Sequence, residues 1–264
     1  MTKEYPLATG ELDRARLEIL DRLYSPVTKT FLIKNGLQAG MTVLDFGCGM
    51  GDMTCWFAQQ VGSTGKVIAL DISQDSLDIA KQKAEQKGLS NIEFVCMDIK
   101  DIESLGITFD FIYGKWVLMH VLTAELALCA LYTILKKNGL FAYEAIDELG
   151  QGYFSYPELP VVNNWFDIGR RFFIKRGDIH YGKKLFFDFA KLGLHDINLQ
   201  VNQPILTTPE EKSVLRLGLA VGKKSFCQNY SEAEYQNFVD ELIAMEQSDT
   251  IVGFYRNIIA IGKK

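Results

Sequence analysis

No stretch of this 264-residue sequence reaches the roughly eighteen consecutive apolar residues that a membrane-spanning helix needs. Its opening residues, MTKEYPLATGELDRARLEIL, are charged where a secretory leader would be apolar. A soluble, cytoplasmic protein without membrane insertion is expected. The five cysteines, Cys48, Cys55, Cys96, Cys129 and Cys227, include no CxxC pair. Most fall in apolar segments, so they read as small buried hydrophobes in a reducing compartment, and no metal is expected. Long clusters of Lys and Arg are also missing, and the net charge is −5. That disfavours nucleic acid as a partner. No internal repeat is visible. With 48% hydrophobic residues the chain can bury one sizeable core, which suits a single α/β unit carrying an insertion.

The stretch on which the rest depends is MTVLDFGCGMGD, residues 41–52. An apolar run holding Asp45 breaks into Gly47, Gly49 and Gly51, with Cys48 between the first two. Val43, Leu44 and Phe46 suit a strand covered on both faces. Glycines at alternate positions let the backbone turn sharply and approach a ligand. The helix expected from Asp52 to about Val61 points its unpaired N–H groups at that turn, which favours an anionic group there. A second strand, Lys66 to Leu70, ends in Asp71 and Ile72, about twenty residues after the loop, where an acid can accept both hydroxyls of a ribose. A third, Ile92 to Cys96, ends in Met97, Asp98 and Ile99, an acid between two apolar side chains. This arrangement suits an adenine whose amino group donates to Asp98.

Through VLDFGCGMGD, IALDIS, VCMDI and YGKWVLMHV, residues 36–146 resemble the class I S-adenosylmethionine-dependent methyltransferases. The likeness is to the small-molecule branch that includes quinone-biosynthesis enzymes. LKKNGLFAYEAIDE is similar to the family's turn into its fifth strand, with Asn138 where proline is usual. The resemblance implies a Rossmann-like seven-stranded sheet with flanking helices, strand seven antiparallel between five and six. It also implies a helical, aromatic cap over the acceptor site and a single methyltransferase domain over residues 1–264. Within it, 1–35 would be N-terminal helices, 36–146 the cofactor-binding core, 147–192 the aromatic lid, and 193–264 the last two strands with a helical excursion. The cofactor implied is S-adenosyl-L-methionine, leaving as S-adenosyl-L-homocysteine. Its contacts would be Asp45, Gly47, Cys48, Gly49, Gly51, Asp71, Ile72, Met97, Asp98 and Ile99, with Gly114, Lys115 and Trp116 at the end of strand four. A nicotinamide-dependent reductase is the rival reading of the loop, but such domains normally carry G-x-G-x-x-G. A cofactor-binding regulatory subunit without turnover is a further alternative.

Residues 10–35 carry apolar side chains at helical spacing on both sides of Pro26, which predicts two helices broken near Ser25-Pro26. They either cover a sheet edge or fold over the cofactor together with Tyr5. Ser73 is the expected cap of a helix from Gln74 to Lys87, with Gly88 as its stop. Strand four is expected over Phe109–Tyr113, a helix over Ala124–Lys137, strand five over Leu140–Ile146, strand six over Asp196–Val201 and the last strand over Val252–Ile261. Helical stretches at Pro209–Val221 and Glu232–Met245 lie between strands six and seven, where they would join the substrate cap. Between Tyr153 and Phe189, eleven of 37 residues are aromatic against 12% overall. The later ones fit a helix on the sheet. Those near Gly152, Pro157 and Pro160 predict an irregular, partly helical lid that closes over a flat or apolar acceptor, and Tyr153, Tyr156 and Trp165 are its candidate contacts. A homodimer would use the same surface.

Methyl transfer from a sulfonium mainly requires alignment and desolvation, with a base needed only if the nucleophile must lose a proton. Glu144 and His120 are the catalytic candidates, with Asp147 and, from the lid, Tyr153 or His180 also considered. None forms an evident dyad. His120 reads more readily as a satisfied helix-terminal histidine than as a base, and Trp116 equally as core.

Overall fold

The computed structural model describes residues 11–121, 123–147, 152–174 and 181–264. Helix α1 (Glu11–Lys34) leads into β1 (Thr42–Phe46). Helices and strands then alternate: α2 (Asp52–Val61), β2 (Lys66–Asp71), α3 (Gln74–Gln86), β3 (Ile92–Cys96), β4 (Phe109–Lys115), α4 (Ala124–Ile134) and β5 (Leu135–Ile146). Two 3-10 segments, Ile99–Leu105 and Leu118–His120, follow β3 and β4. The second half contributes β6 (Phe154–Tyr156), α5 (Pro160–Ile174), α6 (Tyr181–Lys191), β7 (His195–Asn202) and β8 (Ile205–Leu206). After these come α7 (Pro209–Val221), α8 (Lys223–Phe226), α9 (Glu232–Glu246), β9 (Ile251–Gly253) and β10 (Asn257–Lys263).

Seven strands form the main sheet in the order β3-β2-β1-β4-β5-β10-β7. The first five run parallel, and β10 is antiparallel to both β5 and β7. The order runs outward in both directions from β1, so the crevice at the carboxyl ends of β1 and β4 is where such sheets bind ligands. The pleat sends alternate residues to opposite faces. Val43, Val67 and Phe111 pack with Met53, Phe57 and Val61 of α2, while Leu44, Phe46, Ile68 and Ile112 pack with Leu128 and Leu131 of α4. A third core joins α1, α5, α7 and α9 around Tyr24, Phe166, Leu215, Phe238 and Leu242.

Four sequence expectations change. First, α1 is one helix that runs through Pro26. Proline has no N–H to give the carbonyl of Arg22 and its ring crowds that carbonyl. The helix holds because its inward side is anchored around the defect: the Tyr24 hydroxyl donates to the Tyr255 carbonyl at 2.7 Å and Thr28 to the Glu144 carboxylate at 2.9 Å. Second, α4 ends at Ile134, three residues short of Lys137, and β5 starts at once. Lys136 reaches both oxygens of Asp110 at 2.9 Å, and Asn138 takes a left-handed φ of 64°, which asparagine tolerates. Third, the last strand breaks at Phe254–Arg256 because Phe254 and Tyr255 turn into the third core. Its first part, β9, joins β6 and β8 in a small separate sheet. Fourth, three of the five cysteines, Cys96, Cys129 and Cys227, are exposed where most were expected to be buried, while the aromatic segment, expected to be partly helical, forms helix α5 from Pro160. Tyr153 stacks on the fully buried Phe166 at 4.0 Å, and Trp165 lies edge-on to that ring.

Because Pro26 is exposed and its ring contributes only strain to α1, Pro26→Ala is expected to raise stability by about 1–2 kcal/mol. Urea unfolding followed by circular dichroism measures this, and an unchanged or lower midpoint would show that the helix does not pay the interior-proline penalty.

Candidate functional site

The three loop glycines are all left-handed, with φ of 66°, 52° and 77° at Gly47, Gly49 and Gly51, but for different reasons. A Cβ on Gly47 would lie 2.0 Å from Val117 Cγ2, and one on Gly51 would lie 2.7 Å from Ala80 Cβ. These two permit close packing of the β4 connection and of α3. A Cβ on Gly49 would meet nothing within 4 Å, so Gly49 is where the loop backbone opens outward. The turn is pinned by Gly47 N–H and Cys48 N–H, which donate to Leu70 O at 2.7 and 3.0 Å. Burial pushes the Cys48 thiol up, with Asp45 and Asp71 adding to the effect, so it stays protonated. Asp45 itself is 2% exposed, and its carboxyl receives the Thr54 hydroxyl at 2.5 Å. It braces the first turn of α2 against β1 and presents no open face to a ligand.

Asp71, at the end of β2, accepts Gly49 N–H on one oxygen and Ser73 N–H on the other, both at 2.9 Å. Each carboxylate oxygen takes a second donor, so a pair of vicinal hydroxyls can still be held. Ile72 beside it is 64% exposed, an open apolar surface next to the acid, while Ile99 is buried and Met97 half-buried. Asp98 caps the segment after β3, accepting Lys100 N–H at 3.1 Å and pairing with its ammonium at 3.2 Å. The residues at the ends of β1, β2 and β3 thus fit a ribose-and-base ligand, with Gly49 as the open backbone and Asp71 as the acid.

At the end of β4 the structure assembles a cluster of which the sequence disclosed only part. Lys115 faces Glu144 in register, and Trp116 N–H donates to Glu144 O at 2.9 Å. Glu144 is fully buried. Its carboxylate receives the hydroxyls of Thr28 and Tyr113 at 2.9 Å each and the side-chain amide of Asn257, and it lies 3.5 Å from Lys115 Nζ. The Lys115 ammonium sits over the rings of Trp116 at 4.6 Å and Tyr24 at 5.1 Å. Trp116 has a φ of 57°, uncommon for so large a residue, and its indole N–H donates to Asn257 Oδ1 at 3.0 Å. Glu144 was expected within reach of an acceptor. With every oxygen engaged and none exposed, it instead ties together α1, β4, β5 and β10. Gly114 likewise serves packing: a Cβ there would lie 2.2 Å from the Phe46 ring.

Tyr24, Thr28, Tyr113 and Asn257 were not singled out in the sequence. A polar residue on the apolar side of α1 and one at the head of an apolar strand were the available signals. His120 closes the 3-10 turn after β4, and burial together with the charge of Arg16 lowers its pKa to about 4, so it is neutral near pH 7. Asp147 is engaged by Arg256, whose Nε donates to it at 2.6 Å. Two of the candidate acceptor contacts, Tyr153 and Trp165, pack against the third core, as Trp116 does. Trp165 donates to Leu215 O at 2.7 Å within the third core, and Tyr156 is 74% exposed on the outer strand of the small sheet. Tyr153 borders a separate groove of about 570 Å³ with Glu158, Asn163 and Asp167. Tyr5 and His180 lie outside the described residues.

Residues 37–167 match the family model described as a methyltransferase domain. The ubiquinone/menaquinone biosynthesis C-methyltransferase UbiE of Escherichia fergusonii is 34% identical over 128 residues, which cover 46% of this chain and 51% of the relative. The chain spans about half the length of the curated relatives it matches. Among solved structures, the YcgJ protein of Bacillus subtilis superposes with a TM-score of 0.60 at 17% identity, covering 89% of this chain and 97% of that one. Phosphoethanolamine N-methyltransferase 2 of Haemonchus contortus, in complex with phosphomonomethylethanolamine and S-adenosylhomocysteine, gives 0.53 at 18% identity, covering 95% and 52%. These structural likenesses are ones of fold.

The buried acid of the loop gives the site a pH signature. Burial raises the Asp45 carboxyl from 3.8 to about 7, Asp71 adds repulsion, and the Thr54 hydroxyl only partly opposes them. The native state therefore keeps this proton to higher pH than the unfolded chain does. Its contribution is whole below about pH 4 and is lost as pH rises towards about 7. Asp45→Asn, which keeps an oxygen for Thr54, is expected to flatten stability over that window and to exceed the wild type at about pH 8 by on the order of 2–4 kcal/mol. Urea unfolding across the window tests this, and parallel profiles for the two proteins would contradict it.

Proposed function

We propose that the chain, whose residues 37–167 match the methyltransferase-domain model, is of the class I, S-adenosylmethionine-dependent kind and transfers a methyl group to a small molecule. The observation that carries the reading is the pairing of Gly49 with Asp71. One open glycine whose N–H already orients the acid leaves that acid free to receive both ribose hydroxyls. In this reading Ile72, Met97 and Ile99 flank the adenine, Asp98 accepts from its amino group, and Gly47, Cys48 and Gly51 hold the turn in shape. Lys115 and Trp116 border the methionine end, with the Lys115 charge balanced by Glu144.

S-adenosylmethionine, when bound, supplies a methyl already activated by the positive sulfur. The chain's residues then have to position the acceptor and exclude water. Glu144 acts as a positioning residue, holding Lys115 and the strained Trp116. His120, neutral near pH 7, can accept a hydrogen bond or a proton. An acceptor with an aromatic or apolar body is favoured by the half-buried ring of Trp116 at the end of β4 and by relatives named for quinone C-methylation. The net charge of −5 weighs against nucleic acid. A non-catalytic cofactor-binding subunit is the second reading, favoured by the full enclosure of the strand-end acid Glu144.

Asp71→Ala removes hydrogen bonds to the ligand from a charged group, about 1.5–3 kcal/mol. Calorimetry with S-adenosylmethionine is expected to give a dissociation constant roughly ten- to a hundredfold weaker than for the wild type. No binding by the wild type, or equal affinities, would overturn the reading. Once an acceptor is known, His120→Ala and Glu144→Gln are each expected to lower turnover by less than the 10²–10⁴-fold typical of a general base. A larger loss with one limb of the pH profile missing would identify a base.

A further inference from the structure

Strand β7 closes one edge of the main sheet, and among the described residues only β10 pairs with it. Nearly all of it is uncovered on both faces. Leu199 is 47% exposed and Val201 52%, and only Asn202 is buried. Long edge strands are normally protected by lysine, proline or a covering element, because their free N–H and C=O groups otherwise recruit another strand. Between Ile197 and Asn202 the sequence INLQVN holds no charge and no proline. Ile197, Leu199 and Val201 share one face, where Ile197 packs against the core that includes Phe189 and Leu194. Asn198, Gln200 and Asn202 share the other.

We infer that the β7 edge pairs antiparallel with β7 of a second copy of this chain, with Leu199 on the two-fold axis. The strand's own pattern selects that register. With Leu199 opposite itself, Ile197 meets Val201 and Asn198 meets Gln200, so apolar faces apolar and polar faces polar, while the buried Asn202, whose amide donates to Tyr24 O at 3.2 Å, stays outside the pairing. A slip of two residues one way sets Val201 against His195, and the other way sets Ile197 against Gln203. A slip of one turns the apolar row to the wrong face. A two-fold contact of this kind must be self-complementary, and this register is. The regular stretch begins after Asp196, whose φ of 50° bends the chain near the irregularity opposite Ile261 and Lys263, so the pairing runs over 197–201. Beyond Asn202 the apolar surface continues into exposed Ile205, which shares a cross-strand row with Gly253 and exposed Phe154.

Two measurements on the full chain test this. Sedimentation of the wild type at on the order of 100 μM should give a dimer, and Leu199→Lys, which places two ammonium groups at the axis, should give a monomer at the same loading. The register is read by cross-linking in a background with the exposed Cys96, Cys129 and Cys227 changed to serine. Opposite residues bring their Cβ atoms within about 4.5–5.5 Å. Mild oxidation should therefore link Leu199→Cys to its own copy about tenfold faster than Gln200→Cys, which faces Asn198. A monomeric wild type, a dimer that survives Leu199→Lys, or equal linking at 199 and 200 would overturn the proposal. Should the lysine variant fail to fold, the cysteine pair decides.

Discussion

A carboxyl group with no access to water must be met by donors, and in this protein meeting one of them organises the carboxyl end of the sheet. Glu144 draws its partners from α1, β4 and β10 while belonging to β5 itself. Removing one partner of such a buried charge typically costs about 3–5 kcal/mol, so the four elements are fixed relative to one another far more firmly than their apolar contacts alone require. Trp116 is held in an unfavourable backbone region by the same network, through its N–H to Glu144 and its indole to Asn257. The strain is thus sustained by groups distant in sequence but shared in space.

The core of the fold was readable because its signals are local. Buried parallel strands announce themselves as short apolar runs, and the acid at the end of β2 stands at a fixed spacing from the glycine loop. What escaped was decided by contacts between distant residues. Nothing within α1 tells that Pro26 is tolerated, since the compensation comes from Tyr255 and Glu144. The break between β9 and β10 likewise depends on Phe254 and Tyr255 finding the third core, where an apolar strand pattern reads the same in either case.

The site divides along the same line. Gly49 and Asp71 could be placed from spacing, but the different duties of the three glycines could not. Only the neighbours Val117 and Ala80 separate the packing positions Gly47 and Gly51 from the open one. Glu144 was noticed for a chemical reason, an acid near a strand end, and proves to be an interior tie. The aromatic excess of 153–189 was equally visible, yet composition does not distinguish a surface that receives a ligand from rings packed on one another, as Tyr153 and Phe166 are.

The contact of Tyr24 with Tyr255 spans 231 residues, and this has a consequence for the order in which the molecule is made. On the ribosome, α1 emerges long before β10 and the Tyr255 turn, so the Tyr24 hydroxyl on its inward face has no final partner while most of the chain is synthesised. The glycine loop and the parallel strands β1 to β5 can assemble in that interval. The seating of α1, and with it the cage around Lys115, must wait for the last strand. Completion of the carboxyl-end crevice is therefore set to be a late event of folding.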